Sequence, residues 1–379
     1  MSWFLARTLG FSLPLTLIVY ISEEVLGKYF LLVQSIQVLG LIISAGFTSF
    51  IIDLDRSKNW LLSVKGNLKI FIILIVFLVG SCLVLWLTTK GNFVFYISGA
   101  VLFGCRLFFQ TLMRKYYEET HVILATDISY SFVVLTLLLI GIAPEISILI
   151  ALLINFIVLL VMSRTTLPTN AVPNCNLELA SFFKRSWTFG IQSTVVPALV
   201  LIYIFSVEPN DIIEVKLAFM TCTGVHWLQS SVKSFYLRSE HSTFRHAIKV
   251  YRFRIIFVFS ITILLYSTMA IAMLFFPGAV SNKVELGVLS ILALSFFSGN
   301  VVIFATVVAL QNSQWKLYAG RGSGTLAAFM LLLVLVAFVM VSYFRELWAI
   351  GLSYNLYCLV ISAVMFGLTR KAGSSQTER

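Results

Sequence analysis

The stretch Trp3–Asp53, WFLARTLGFSLPLTLIVYISEEVLGKYFLLVQSIQVLGLIISAGFTSFIID, reads as two long apolar segments joined by a short acidic turn at Ser22-Glu23-Glu24. A bilayer-crossing helix needs about 20 mostly apolar residues, and each arm comes close to supplying them. The first arm holds Arg7 and Pro14 inside otherwise lipid-compatible sequence, with Gly10 between them. Helical steps of three and four set these residues on one face. Such a face suits water, a neighbouring helix or an anionic ligand better than hydrocarbon, where a central charge costs at least about 2.5–3.5 kcal/mol. An arginine near a helix end can also snorkel to the headgroups. Arg7 therefore reads either as an end-of-helix cation or as part of an interior path.

Composition carries the reading outward. Hydrophobic residues make up 59% of the 379-residue chain and charged residues 11%, with a mean hydropathy of +0.97. A water-soluble domain carries roughly 25% charge, so the chain reads as an all-α polytopic membrane protein. Cys82, Cys105, Cys222 and Cys358 fall inside apolar segments and Cys175 in a loop, without the paired spacing of a disulfide scaffold. Nor is the N-terminus built like a cleavable signal, because its apolar run begins at once and contains Arg7.

Segments of spanning length fall near 4–21, 29–51, 68–88, 92–113, 121–142, 145–163, 187–206, 215–235, 255–277, 287–310, 324–343 and 347–368, about twelve transmembrane helices. Lysine and arginine concentrate in the loops that face inward if the N-terminus is cytoplasmic. The outward turns hold only Lys28, Lys90, Lys216, Lys283 and Arg345, and carry eight of the 16 acids. Both termini are thus expected in the cytoplasm. The net charge of +11 is mainly this topology signal rather than a mark of nucleic-acid binding. The densest basic patch, from Arg238 to Arg254, also suits anionic lipid headgroups.

The longer inward connection at 164–186 contains Pro168 and Pro173 and ends in an apolar-basic mixture fit for an interfacial helix. It divides the chain into a six-helix lobe (1–163), a linker (164–186) and a second six-helix lobe with a short tail (187–379). The two halves look alike. Gly10 and Pro14 of the opening hairpin are echoed by Gly190 and Pro197, each pair before a short acidic turn. The sixth and twelfth segments open similarly, at Pro144-Glu145 and Arg345-Glu346, and each reaches an asparagine, Asn155 or Asn355. Six spans per half would give a parallel repeat, an arrangement found in transporters that rock two bundles about a site near the midplane.

The FLARTLGFSLPL start, the EEVLGKYFLLVQSIQVLGLIISAGF continuation, the Leu177–Phe189 entry to the second half and the Arg345–Phe366 end together resemble the polysaccharide transporter family. That family belongs to the multidrug, oligosaccharidyl-lipid and polysaccharide exporter superfamily, and the resemblance is greatest to O-antigen flippases. It implies two six-helix lobes in a V around a central cavity, in a bacterial inner membrane. The implied cargo is an undecaprenyl-pyrophosphate-linked oligosaccharide moved between leaflets. Implied partners are membrane lipids, H⁺ or Na⁺ as coupling ion, and other polysaccharide-assembly proteins. The chain is shorter than many of these relatives and lacks the extra helix pair that some carry.

Moving a pyrophosphate through a low-dielectric slab calls for interior cations, and arginine's forked donors suit phosphate. Arg7 and Arg106 are the candidates, with Gln34 and Gln192 as amides able either to bridge helices or to meet glycan hydroxyls. Gly99, Phe103, Arg106 and Gln110 share a helical face. Asp127 lies on the next segment at about the same distance from the shared turn, which predicts an ion pair with Arg106. That pair reads either as a device making insertion tolerable or as a titrating relay, since intramembrane carboxylates in transporters often move protons. His226, with Thr223, Gln229 and Ser230 nearby, reads as a packing residue or a proton site.

No nucleotide-binding, metalloprotease or nucleophile-elbow motif occurs, and no metal-spaced Cys/His set. The chain is therefore expected to be no enzyme and to need no cofactor or metal, with an ion gradient or the cargo gradient supplying energy. Alternatives are an ion-coupled drug antiporter of the same superfamily and an O-antigen polymerase. Short acidic outward turns argue against the polymerase, which needs a large basic outward loop.

Overall fold

The computed structural model describes residues 16–17, 20–53, 93–117, 119–166, 179–207, 211–221, 286–310, 323–344 and 346–377, with isolated positions between 249 and 264. Among them the ordered elements are all helices: α1 (Glu23–Asp53), α2 (Phe93–Tyr116), α3 (Glu119–Ile123), a π-helical turn (Leu124–Ile128), α4 (Ser129–Leu139), α5 (Pro144–Thr166), α6 (Leu179–Ser206), α7 (Asp211–Thr221), α8 (Leu286–Leu310), α9 (Ser323–Phe344) and α10 (Leu347–Thr377). Most of the first hairpin arm, 68–88, most of 215–235 and most of 255–277 lie outside the described residues.

Five described stretches are long and apolar enough to cross a bilayer: Glu23–Ile42, Thr120–Leu139, Leu289–Thr306, Gly324–Phe344 and Leu347–Leu368. Shorter apolar stretches occupy Phe95–Leu107, Pro144–Leu159 and Thr194–Ser206. Their outer faces are greasy. Phe132, Ile146, Leu153, Ile157 and Val161 are exposed, as are Leu331, Leu332, Leu335, Phe338 and Val339 along α9. A water-soluble protein does not expose apolar surface on that scale. This is a multi-pass membrane protein.

The chain divides into two compact units, Met1–Thr194 and Val195–Arg379, the division falling within α6. Residues 179–186, read from sequence as the end of the linker, form the first turns of that helix. Pro197 sits inside it and removes one backbone hydrogen bond. α10 runs on past residue 368 to Thr377, taking in part of the expected tail.

In the first unit α1 packs on α2, α2 on α5, and α4 on α5. Glu23 and Glu24 occupy the first turn of α1, where carboxylates favour the positive end of the helix dipole. The α1–α2 contact is close because each helix carries a notch for the other. A Cβ at Gly40 would lie 2.7 Å from Phe103 Cδ1 and 2.9 Å from the Ala100 carbonyl oxygen, and one at Gly99 2.7 Å from Ile36 Cδ1. α4 ends in a Schellman motif: Gly141 takes a φ of +87°, its N–H donates to the Leu138 carbonyl, and the Ile142 N–H donates to that of Leu137. Pro144 then begins α5, where a missing N–H costs nothing. Lys28 and Glu145 close the same end with an ion pair of 2.6 Å.

In the second unit α7 packs on α8, α8 on α10, and α9 on α10. Its core is aromatic. Tyr203 stacks on Phe296 at 6.2 Å, Tyr354 meets Phe296 edge-on at 4.9 Å, and Phe219 packs edge-on against both Phe296 and Tyr354. Ser353 Oγ donates to the Tyr203 hydroxyl at 3.0 Å. Lys216, read from sequence as an outward-turn cation, is instead buried in α7, as is Glu214, because this helix starts at Asp211 rather than at 215.

Candidate functional site

Helical spacing puts Phe103, Arg106 and Gln110 along one side of α2, and Arg106 and Gln110 face the segment that returns beside it. Arg106 Nη2 donates to Asp127 Oδ1 at 2.7 Å. Gln110 Nε2 donates to Thr126 Oγ1 at 3.2 Å. The guanidinium lies 5.1 Å from the Tyr130 ring centre and 5.7 Å from that of Phe103. Contacts of this kind contribute about 0.5–2 kcal/mol each according to how dry they are. Tyr130 is hydrogen-bonded to the hydroxyl of buried Tyr29 on α1. The site thus draws on α1, α2, the π turn and α4.

Burial is uneven across the ion pair. The Arg106 side chain is 9% exposed and that of Asp127 31%. Arg106 Nε is buried with no hydrogen-bond partner among the described residues, so the guanidinium retains an unspent donor beside its carboxylate. Removing either charge from such a pair strands the other, which is why broken buried pairs cost more than intact ones contribute.

The π turn has its own support. The Ser129 N–H donates to the Leu124 carbonyl, five residues back, rather than to that of Ala125, its partner in a regular α-helix. The Ala125 carbonyl accepts instead from Ser129 Oγ at 2.6 Å and from Asn155 Nδ2 on α5 at 2.8 Å. Asn155 Nδ2 also donates to the Thr126 carbonyl at 2.9 Å and to Ser129 Oγ at 2.6 Å. Two carbonyl oxygens can only accept, so the amide nitrogen must be the atom facing them.

Of the residues singled out from sequence, Arg106 and Asp127 are brought together. Gln34 is 1% exposed on α1, so protein encloses its amide in this conformation. Gln192 belongs to α6, with its side chain outside the described set, and Arg7 and His226 lie outside the described residues. Sequence reasoning missed Tyr29 and the π turn. Hydropathy carries no sign of either, although the polar run Thr126, Asp127 and Ser129 inside an apolar segment was a visible irregularity.

No family model and no curated protein sequence matches the chain. Solved structures do match over almost the whole length. A MATE crystal structure in complex with MaL6 aligns with a TM-score of 0.60 at 14% identity, covering 100% of this chain and 95% of the other. MATE in the straight conformation gives 0.56 at 15% identity, covering 100% and 94%. The outward-facing conformation of a multidrug resistance MATE family transporter of the MOP superfamily gives 0.55 at 14% identity, covering 100% and 95%. The fold is MATE-like. The third of these is described as a multidrug transporter of the MOP superfamily, and the polysaccharide transporter family expected from the sequence is not among the three.

Proposed function

We propose that this protein is an alternating-access membrane transporter, not an enzyme, and that its cargo is an anionic lipid-linked oligosaccharide carried on a polyprenyl pyrophosphate. The single observation that carries the cargo assignment is Arg106: a buried guanidinium in an apolar bundle, faced by aromatic rings, with Nε unspent. A phosphate oxygen is the acceptor such a donor fits. The matching neighbour pattern of α1, α2, α4 and α5 with α7, α8, α9 and α10 supports the repeated architecture that rocking needs. In this reading Arg7 and Gln192 join Arg106 on the cargo path, and the expected setting is a bacterial inner membrane with both termini inside.

A second reading, an ion-coupled small-molecule antiporter, is favoured by one feature. Asp127 balances the charge of Arg106, leaving a site without net charge. Proteoliposomes separate the two. Under the first reading, wild type moves a fluorescent short-chain polyprenyl-pyrophosphate glycan between leaflets and Arg106→Ala slows this at least about tenfold, the loss of one charge-assisted contact. Glycolipid left in place while a proton or sodium gradient drives a cationic dye in the direction opposite to the ion would establish the antiporter instead.

A further inference from the structure

A π turn adds one residue to a helix, and one residue is a rotation of about 100° and a rise of about 1.5 Å. The insertion at Leu124–Ile128 therefore sets how everything before it is turned relative to everything after it. Asp127 lies inside the insertion, and Tyr130, which faces the same guanidinium, lies just beyond it. Thr126, within the turn, is held on the same α2 face through Gln110.

The turn leaves the Ala125 carbonyl without its regular backbone donor, and one side chain from another helix answers it. Asn155 is fully buried and spends its amide nitrogen on the Ala125 carbonyl, the Thr126 carbonyl and the Ser129 hydroxyl. Among the described residues its own Oδ1 is buried with no partner. An amide placed only to bridge helices would satisfy both ends; this one is placed for its donors. Asn300 in the second unit differs, since its amide returns to the Phe296 carbonyl of its own helix.

We propose that Asn155 is the positioning residue of the Arg106–Asp127 pair: its amide holds the π turn in place, and the π turn fixes the register that aims Asp127 at Arg106. Without the clamp, the segment relaxes toward a regular α-helix, the Ser129 N–H returns to the Ala125 carbonyl, and Asp127 rotates off the guanidinium. The proposal concerns geometry within the first unit and holds whatever the cargo.

The test is a double-mutant cycle of Arg106→Ala and Asp127→Ala, read as melting-temperature shifts of the full-length protein in detergent and repeated in three backgrounds. In the wild-type background the two shifts are strongly non-additive. In Asn155→Leu, which keeps volume but donates nothing, non-additivity falls to about half or less. In Asn155→Ser, which is smaller but keeps a donor, more of it survives. A packing role predicts the reverse order, with Leu tolerated and Ser worse, and that order overturns the proposal. Equal coupling in all three backgrounds also overturns it. Deletion of Ala125 removes the extra residue directly and serves if Asn155→Leu does not accumulate. It is expected to abolish the coupling, and retention of full coupling there counts against the proposal.

Discussion

Arg106 on α2 meets Asp127 in the π turn at 2.7 Å, across a hairpin whose connection is the short stretch between Tyr116 and Glu119. The two charges lie ten and eight residues from that connection and differ in exposure, arginine inside and carboxylate toward the edge. Asp127→Ala, which strands the buried guanidinium, is therefore expected to destabilise by about 3–5 kcal/mol, more than Arg106→Ala, which strands a carboxylate already 31% exposed. Thermal unfolding of purified protein in detergent measures both. Equal, near-zero shifts would contradict the pairing.

The α1–α2 contact gives a graded pair of substitutions. Gly40→Ala drives a methyl against the Ala100 carbonyl oxygen and the Phe103 ring, whereas Gly99→Ala meets only the movable end of Ile36. Overpacking costs about 1–3 kcal/mol, with Gly40→Ala toward the top of that range and Gly99→Ala toward the bottom. Melting temperatures in that order support the packing described; the opposite order contradicts it.

Lys28 and Glu145 form a geometrically close but solvent-exposed pair, the lysine being 55% exposed. Screening makes such pairs weak. Lys28→Ala and Glu145→Ala are expected to leave the melting temperature near that of wild type, with any small difference vanishing at high salt.

Orientation is testable on two exposed positions at opposite ends of one hairpin arm, Ala143 beside the Gly141 turn and His121 in α3. From the lysine and arginine distribution the first is expected outside and the second in the cytoplasm. In a cysteine-free background, Ala143→Cys should react with a membrane-impermeant maleimide on intact cells, and His121→Cys only after permeabilisation. The reverse pattern would invert the topology.

Much of this was legible in the residues. Hydropathy located α1, α2, α5, α8, α9 and α10 because spanning length is fixed by bilayer thickness. The meeting of Arg106 and Asp127 was legible because a hairpin sets depth by counting from its turn. The π turn was not, since inserting one residue leaves hydropathy unchanged and the signal lies in backbone bonds. Tyr29 was missed because its role depends on which helix packs beside α2. Lys216 was misread because charge counting assigns every lysine near a turn to solvent, while α7 begins early enough to carry it into the interior.

The reciprocal notches at Gly40 and Gly99 limit how the first unit can move. Sliding or twisting α1 against α2 would push the Phe103 ring or the Ile36 methyl into backbone, so the two helices travel as one stiff lever. α1 spans 31 residues, roughly 46 Å at the α-helical rise. A displacement applied at its acidic end therefore reaches the opposite end nearly undiminished, and any hinge the first unit possesses must lie elsewhere than between these two rods.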